Sequence, residues 1–195
     1  MLRAVLGPAL ALFGYLLGSV SFALVAAKRA GVDLRAEGSG NPGATNVGRV
    51  LGKRTGRVVL GLDLAKGALP AGLALAFLGA DSPWTAATGT AAVAGHCFPL
   101  WHRLRGGKGA ATAAGVLLVL APIAGVAAAL TYLLGKRVTK RASVGSLLGA
   151  LVGAATTLAT TTGPRVWMAC AIVVLVFARH ANNIARLAGG TEPES

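Results

Sequence analysis

Long apolar runs alternate with short polar ones along the whole chain. By length the apolar stretches are Ala4 to Ala27, Val58 to Ala80, Trp84 to Trp101, Ala110 to Leu134, Val144 to Thr160 and Val166 to Ala178. A bilayer core takes about 20 apolar residues, so most of these are predicted spanning helices, the last being short for one. The first run is free of charge and longer than the h-region of a signal peptide, which makes it an uncleaved span. The reading is all-α: a polytopic membrane helical bundle, one domain over residues 1–195, with a polar tail from about Thr191 as its expected disordered segment.

Charge sets the orientation. Of the 19 Lys and Arg residues, 16 fall in four segments, one after each of the first, third, fourth and last runs. Basic residues accumulate in cytoplasmic loops, so the N-terminus is placed outside and the C-terminus in the cytoplasm, with Arg3 and Arg165 left for the far side. Both flanks of Ala110 to Leu134 are then cytoplasmic, and its 25 residues are too few for two full crossings. Pro122 lies at the midpoint, lacks an N–H and disfavours helix at the residue before it. Two short or partly re-entrant helices broken near Pro122 are therefore predicted, giving about seven transmembrane helices.

Composition agrees with this class. The chain of 195 residues is 54% hydrophobic and 13% charged, with a mean hydropathy of +0.67. Its net charge of +13 raises the question of nucleic acid, but aromatics are only 5% and no basic helix or RNA-binding signature occurs, so no nucleic-acid partner is expected. Cys97 and Cys170 lie in apolar surroundings without metal-ligand spacing, and neither a metal nor a cofactor is expected. Gly145, Gly149 and Gly153 share one helical face, as do Gly14 and Gly18, which predicts close helix packing ahead of dimerisation.

The polar residues cluster in the loops. Gly38, Gly40 and Gly43 permit backbone conformations in which successive N–H groups line one concavity. Ser39, Asn41, Thr45 and Asn46 add side-chain donors around Ala44, and Arg35 and Arg49 add charge. Gly106-Gly107-Lys108-Gly109 precedes a helix, so its N–H groups, the helix N-terminus and the Lys108 charge would jointly favour a phosphate. Neither stretch is a Walker A loop, because no Gly-Lys pair is followed by Ser or Thr. Asp63 and Lys66 are charges three residues apart inside an apolar run, read either as functional groups or as a structural ion pair. His96 is a base or a buried hydrogen-bonding residue, and His102 is read as solvated. Arg179, Asn182, Asn183 and Arg186 are expected on one helical face, with His180 beside them. Ser143 and Ser146 begin a helix on the same side, and either could cap it.

Taken together, these segments resemble the acyl-phosphate:glycerol-3-phosphate acyltransferase family of bacterial membranes. The resemblance is carried by Gly18-Ser19, Asp33-Leu34-Arg35 and GSGNPGATN (38–46), then Asp63-Leu64-Ala65-Lys66-Gly67. It continues through Gly95-His96-Cys97-Phe98-Pro99 and Gly106 to Thr112, and ends on RHANNIARLAGGTE (179–192). Ser21, Leu104 and Ala110 depart from the residues usual in the family, and none of these changes removes a polar group. The resemblance implies seven helices in the bacterial inner membrane and a site on the cytoplasmic side. It implies acyl transfer from acyl phosphate to the 1-hydroxyl of sn-glycerol 3-phosphate, giving lysophosphatidic acid and phosphate, with a functional partner that supplies the acyl phosphate. Ser39, Arg49, Lys108, Ser146, His180 and Asn183 would contact the substrates, while Asp63, Lys66 and His96 would support them.

An acyl phosphate is already activated, so such a site needs chiefly to bind two anions, align hydroxyl with carbonyl and stabilise developing charge. No cysteine sits in a polar motif and no Ser-His-Asp arrangement is suggested, so direct attack without an acyl-enzyme is expected. His180, His96 and the substrate's own phosphate are all candidate bases. A carrier for phosphate compounds is the main rival, but carriers place their site near the midplane, whereas these donors gather at one face. A thioester-dependent acyltransferase would show His-x4-Asp, which is absent.

Overall fold

The computed structural model describes residues 2–195, the side chains of Leu2 and Ala4 excepted. Its described residues form ten α-helices and one short 3-10 turn, without a strand among them. In chain order the helices are α1 (Leu2–Gly18), α2 (Phe22–Arg29), α3 (Ala44–Val50), α4 (Lys53–Leu78) and α5 (Pro83–Cys97), then α6 (Ala110–Leu120), α7 (Pro122–Thr139), α8 (Ala142–Thr160), α9 (Pro164–Arg179) and α10 (Ala181–Ala188). The long helices pack lengthwise in pairs, α7 on α8, α1 on α5 and α4 on α6, with α9 against α5 and α8.

The surface inverts the usual soluble pattern. Leu69, Phe77, Leu130, Leu134, Trp167 and Val174 point outward, while Ser19, Asp63, Lys66, Thr88, His96 and Thr112 are buried. Apolar exposure on this scale marks a face that meets lipid, where polar groups must find partners inside. Lipid supplies no hydrophobic drive between helices, so their association rests on close packing, and glycine provides it. A Cβ on Gly18 would strike the Ala92 carbonyl, one on Gly67 the Thr112 carbonyl, and one on Gly145 the Tyr132 carbonyl. The glycine stripes thus serve packing within the chain. Among the described residues three helices are long and apolar enough to cross a membrane, Val5–Arg29 taken through its break, Lys53–Leu78 and Ala142–Thr160, and α9 with α10 makes a fourth if that pair, bent by 60°, is one span.

Four expectations change. The first run is not continuous: Ser21 caps α2 by accepting from Leu24 N–H at 3.4 Å, and Ser19 turns its hydroxyl back to the Tyr15 carbonyl at 2.8 Å. Serines that bond to nearby backbone favour such breaks. The break at Ala121–Pro122 falls where the proline requires it, but α7 continues past Leu134 to Thr139. Lys136 and Arg137 fall in its last turn, where cations suit the helix dipole, so its 18 residues are about 27 Å long and, of the two helices that meet at Pro122, only α6 is short. The bend at His180 separates Arg179 from Asn182, Asn183 and Arg186, so these four do not share a helix face. The tail from Thr191 is ordered: Ser195 N–H donates to the Lys140 carbonyl at 2.8 Å, and Glu192 is buried.

Candidate active site

The polar loop motifs of the sequence meet around one cavity of about 330 Å³. Its polar end is lined by Ser39, Asn41, Gly43, Ala44, Thr45 and Arg49 from the first loop and α3, and by Lys108 ahead of α6. Ser143 and Ser146 of α8 face the same space, as do His180, Asn183 and Arg186. Asp63 and His96 close it from α4 and α5. From there the cavity continues as an apolar slot between α6, α7, α8 and α9, past Ala113, Leu117, Ala128, Ala150 and Ile172.

Several motif residues build the site without lining it. The N–H groups of Gly106 and Gly107, expected to cradle a phosphate, instead donate to the Cys97 and His96 carbonyls at 3.2 and 3.1 Å. Those carbonyls are orphans of the α5 C-terminus, so the glycines cap that helix. A side chain at Gly107 would run into the His96 imidazole, so the loop passes only as glycine. Asn46, also expected as a donor to ligand, does reach the cavity wall but spends its amide on its own loop. It accepts from Ser39 N–H at 2.8 Å and donates to the Leu34 and Glu37 carbonyls at 3.3 and 3.0 Å. Gly40 is off the cavity wall, at positive φ in the turn. Arg35 braces the two loops through the Arg105 carbonyl at 2.7 Å. Lys66 pairs with Asp63 at 2.9 Å and donates to the Val20 carbonyl at 2.8 Å, which satisfies the break between α1 and α2. Lys66 is thus spent on these two partners, while Asp63 keeps one face on the cavity.

Lys108 stands at the head of α6, whose first-turn N–H groups have no intrahelical acceptor and open on the cavity through Ala110 and Ala111. Burial and the nearby Arg186, Arg49 and Arg179 lower its pKa to about 8, with Glu192 opposing them. Arg179 holds the loop before Lys108: its guanidinium donates to the Gly106 and Gly107 carbonyls at 2.7 and 3.0 Å and lies over the Phe98 ring. The next residue, His180, is buried and binds the Val176 carbonyl through Nδ1 at 2.8 Å. That bond assigns the proton to Nδ1 and leaves Nε2 as a free acceptor. In contrast, His96 has Nδ1 3.7 Å from Asp63 and Nε2 against Gly107.

One residue escaped the site expectations. Glu192 accepts from Ser143 Oγ and Asn183 Nδ2, each at 2.6 Å, and from Arg186 Nε at 2.8 Å. Ser143 is thereby a partner of the tail and makes no capping bond. Burial works to raise the Glu192 carboxyl, but the hydrogen bonds from Ser143, Asn183 and Arg186 and the Arg186 charge hold it below its ordinary value. Its signal in the sequence was an acid closing a strongly basic cluster, just after the Gly189-Gly190 turn. The tail continues over Arg49, which donates to the Glu194 carbonyl at 2.6 Å.

A helical bundle that is apolar outside, with a cavity cationic at one end and greasy along the rest, defines a class: a membrane protein with a site for an amphiphilic anion. Comparison with known proteins names the family. The profile described as glycerol-3-phosphate acyltransferase matches residues 8–190. A glycerol-3-phosphate acyltransferase of Myxococcus xanthus is 47% identical, over 94% of this chain and 97% of its own. One of Aquifex aeolicus is 42% identical, over 94% and 96%. The crystal structure of PlsY, an integral membrane glycerol 3-phosphate acyltransferase, in its glycerol 3-phosphate form superposes with a TM-score of 0.94 at 39% identity, covering 97% of this chain and 95% of that one. Its lysophosphatidic acid form gives a TM-score of 0.91 at 38% identity, over 96% and 94%. The chain belongs to the glycerol-3-phosphate acyltransferase family.

Proposed function

We propose that this chain is a single-domain, multi-pass enzyme of the bacterial inner membrane that transfers an acyl group from acyl phosphate to the 1-hydroxyl of sn-glycerol 3-phosphate. The products are lysophosphatidic acid and inorganic phosphate, the first acylation of phospholipid synthesis. The observation that carries this reading is the continuity of the cavity, in which a donor-rich end and an acyl-sized slot share one space. A relative seen with glycerol 3-phosphate and with lysophosphatidic acid supports it. The distribution of basic residues supports seven membrane helices, an outside N-terminus and a cytoplasmic mouth through which glycerol 3-phosphate arrives. Acyl phosphate is a reactive mixed anhydride, so a partner enzyme supplies it to the surrounding lipid.

Lys108, the α6 N-terminus and Arg49 hold the phosphates, with Ser39, Ser146, Asn183 and the N–H groups of Ala44 and Thr45 at the start of α3 completing the donor set. His180 Nε2 takes the proton from the attacking hydroxyl, whose oxygen bonds to the acyl carbonyl carbon. The tetrahedral adduct then collapses with cleavage of the carbonyl carbon–phosphate oxygen bond, and phosphate leaves toward Lys108. His180 suits this role better than His96, because the Val176 carbonyl fixes its tautomer and leaves Nε2 as the acceptor, whereas His96 has no such anchor: its Nδ1 is buried without a hydrogen-bond partner among the described residues and its Nε2 lies against Gly107. No acyl-enzyme forms in this scheme, and no cofactor takes part.

The test is a donor-resolved assay on purified protein. Acyl phosphate with labelled glycerol 3-phosphate is expected to give lysophosphatidic acid, while acyl-CoA and acyl carrier protein give none; turnover of a thioester at comparable rate would refute the donor. A second expectation follows from Lys108. Its ammonium is charged below about pH 8 and neutral above, so KM for glycerol 3-phosphate should be steady near pH 7 and climb as pH passes about 8. A flat KM through about pH 9 would remove Lys108 from phosphate binding.

A further inference from the structure

The apolar slot has a floor. Leu117 of α6 and Ala128 of α7 line it yet are 3% and 7% exposed, and both seat against Gly153 of α8. A Cβ at Gly153 would lie 3.0 Å from Leu117 Cδ1 and 3.1 Å from Ala128 Cβ, so the three residues close the space without a gap. Ile172 of α9 packs in the same buried cluster. The depth from the polar end to this floor can be read along three helices independently. From Ala110 to Leu117 and from Ser143 to Ala150 is seven residues each, and from His180 back to Ile172 is eight. At a rise of about 1.5 Å per residue these give a consistent depth of roughly 10–12 Å. An extended chain advances about 1.1 Å per bond, taking a strand's 3.3 Å per three backbone bonds. The slot therefore holds about nine to eleven carbons in extended form.

We infer that Leu117, wedged against Gly153, is the specificity-determining residue that limits how many acyl carbons the slot encloses. The inference rests on the acyl-transfer reading above. Methylenes up to the floor leave water and lipid for protein contacts, and those beyond it must turn out of the slot. Each enclosed methylene is expected to raise kcat/KM about fourfold, and each one past the floor to add little. Leu60 and Leu133 line the cavity near its mouth while 37% and 59% exposed, and they mark the other route, straight into the bilayer. A chain taking that route would never meet Leu117.

The experiment measures kcat/KM for saturated acyl phosphates of about six to sixteen carbons, with the matching thioesters run in parallel. It uses the full chain, Leu117→Ala and Gly153→Ala, each checked for folding by thermal unfolding in detergent. The unaltered protein should show a rise that levels at about ten carbons. Leu117→Ala deepens the floor and should move that point two or three carbons longer, whereas Gly153→Ala pushes Leu117 upward and should move it shorter. A profile without a break, or a break that stays in place in whichever variant folds, overturns the inference. Turnover confined to thioesters strikes instead at the proposed donor, and the chain-length break in that series then decides the inference separately.

Discussion

Lys108→Ala should lower kcat/KM by two to three orders of magnitude while leaving the fold intact. The residue is free to be removed because, among the described residues, its ammonium forms no salt bridge or hydrogen bond that the bundle needs. Its surroundings have already pushed its pKa to about 8, which means it is held, partly desolvated, where an anion would repay that cost. Both the bound phosphate and the one released by acyl transfer would draw on it, so kcat and KM should both suffer. Lys108→Arg should recover only part of the loss, since a planar guanidinium does not reproduce a compact point charge. Activity within tenfold of the parent, with an unchanged melting profile, would leave the cavity without its principal cation.

Glu192→Ala should remove nearly all turnover and, unlike the Lys108 change, destabilise the protein, by about 3 kcal/mol. The carboxylate is the shared acceptor for Ser143, Asn183 and Arg186, which belong to α8, α10 and α10. Deleting it strands three donors, two of them buried, and frees the tail from the mouth of the cavity. Glu192→Gln keeps the shape and one acceptor oxygen, which can still serve Ser143 and Asn183, but turns its NH2 toward Arg186 Nε and loses the charge, so it should rescue only part of the loss. A melting temperature unaltered in both variants would show that the tail is merely draped over the site.

The general architecture was legible because a charge in a greasy chain is conspicuous. The break at Ala121–Pro122 and the gathering of the loops follow from where proline and polar residues interrupt apolar runs, whereas the roles proposed for His180 and Asn183 come from the family resemblance. Glycine was harder to interpret. Gly106 and Gly107 read equally well as a phosphate cradle or as a close approach to another backbone, and local sequence does not say that the ends of α5 and α6 cross there. Asn46 failed in the same way, since an amide that serves its own loop has the same spelling as one that serves a ligand. The interruption at Ser19 and Ser21 was signalled by two hydroxyls that hydropathy outweighed. Glu192 needed tertiary structure: its partners Ser143 and Asn183 are 49 and 9 residues away.

The grip of Arg179 on the Gly106 and Gly107 carbonyls has a mechanical meaning. His180, the proposed base, follows the gripping residue and Lys108 follows the gripped one, so the two are fastened to opposite ends of a single short strut. Their separation is set when the chain folds, ahead of any ligand. Alignment that many transferases achieve by closing a flap is here built in, at the expense of adjustability. Bilayer thickness or curvature can tilt the helices around that strut, yet the spacing between His180 and Lys108 should hardly register the change.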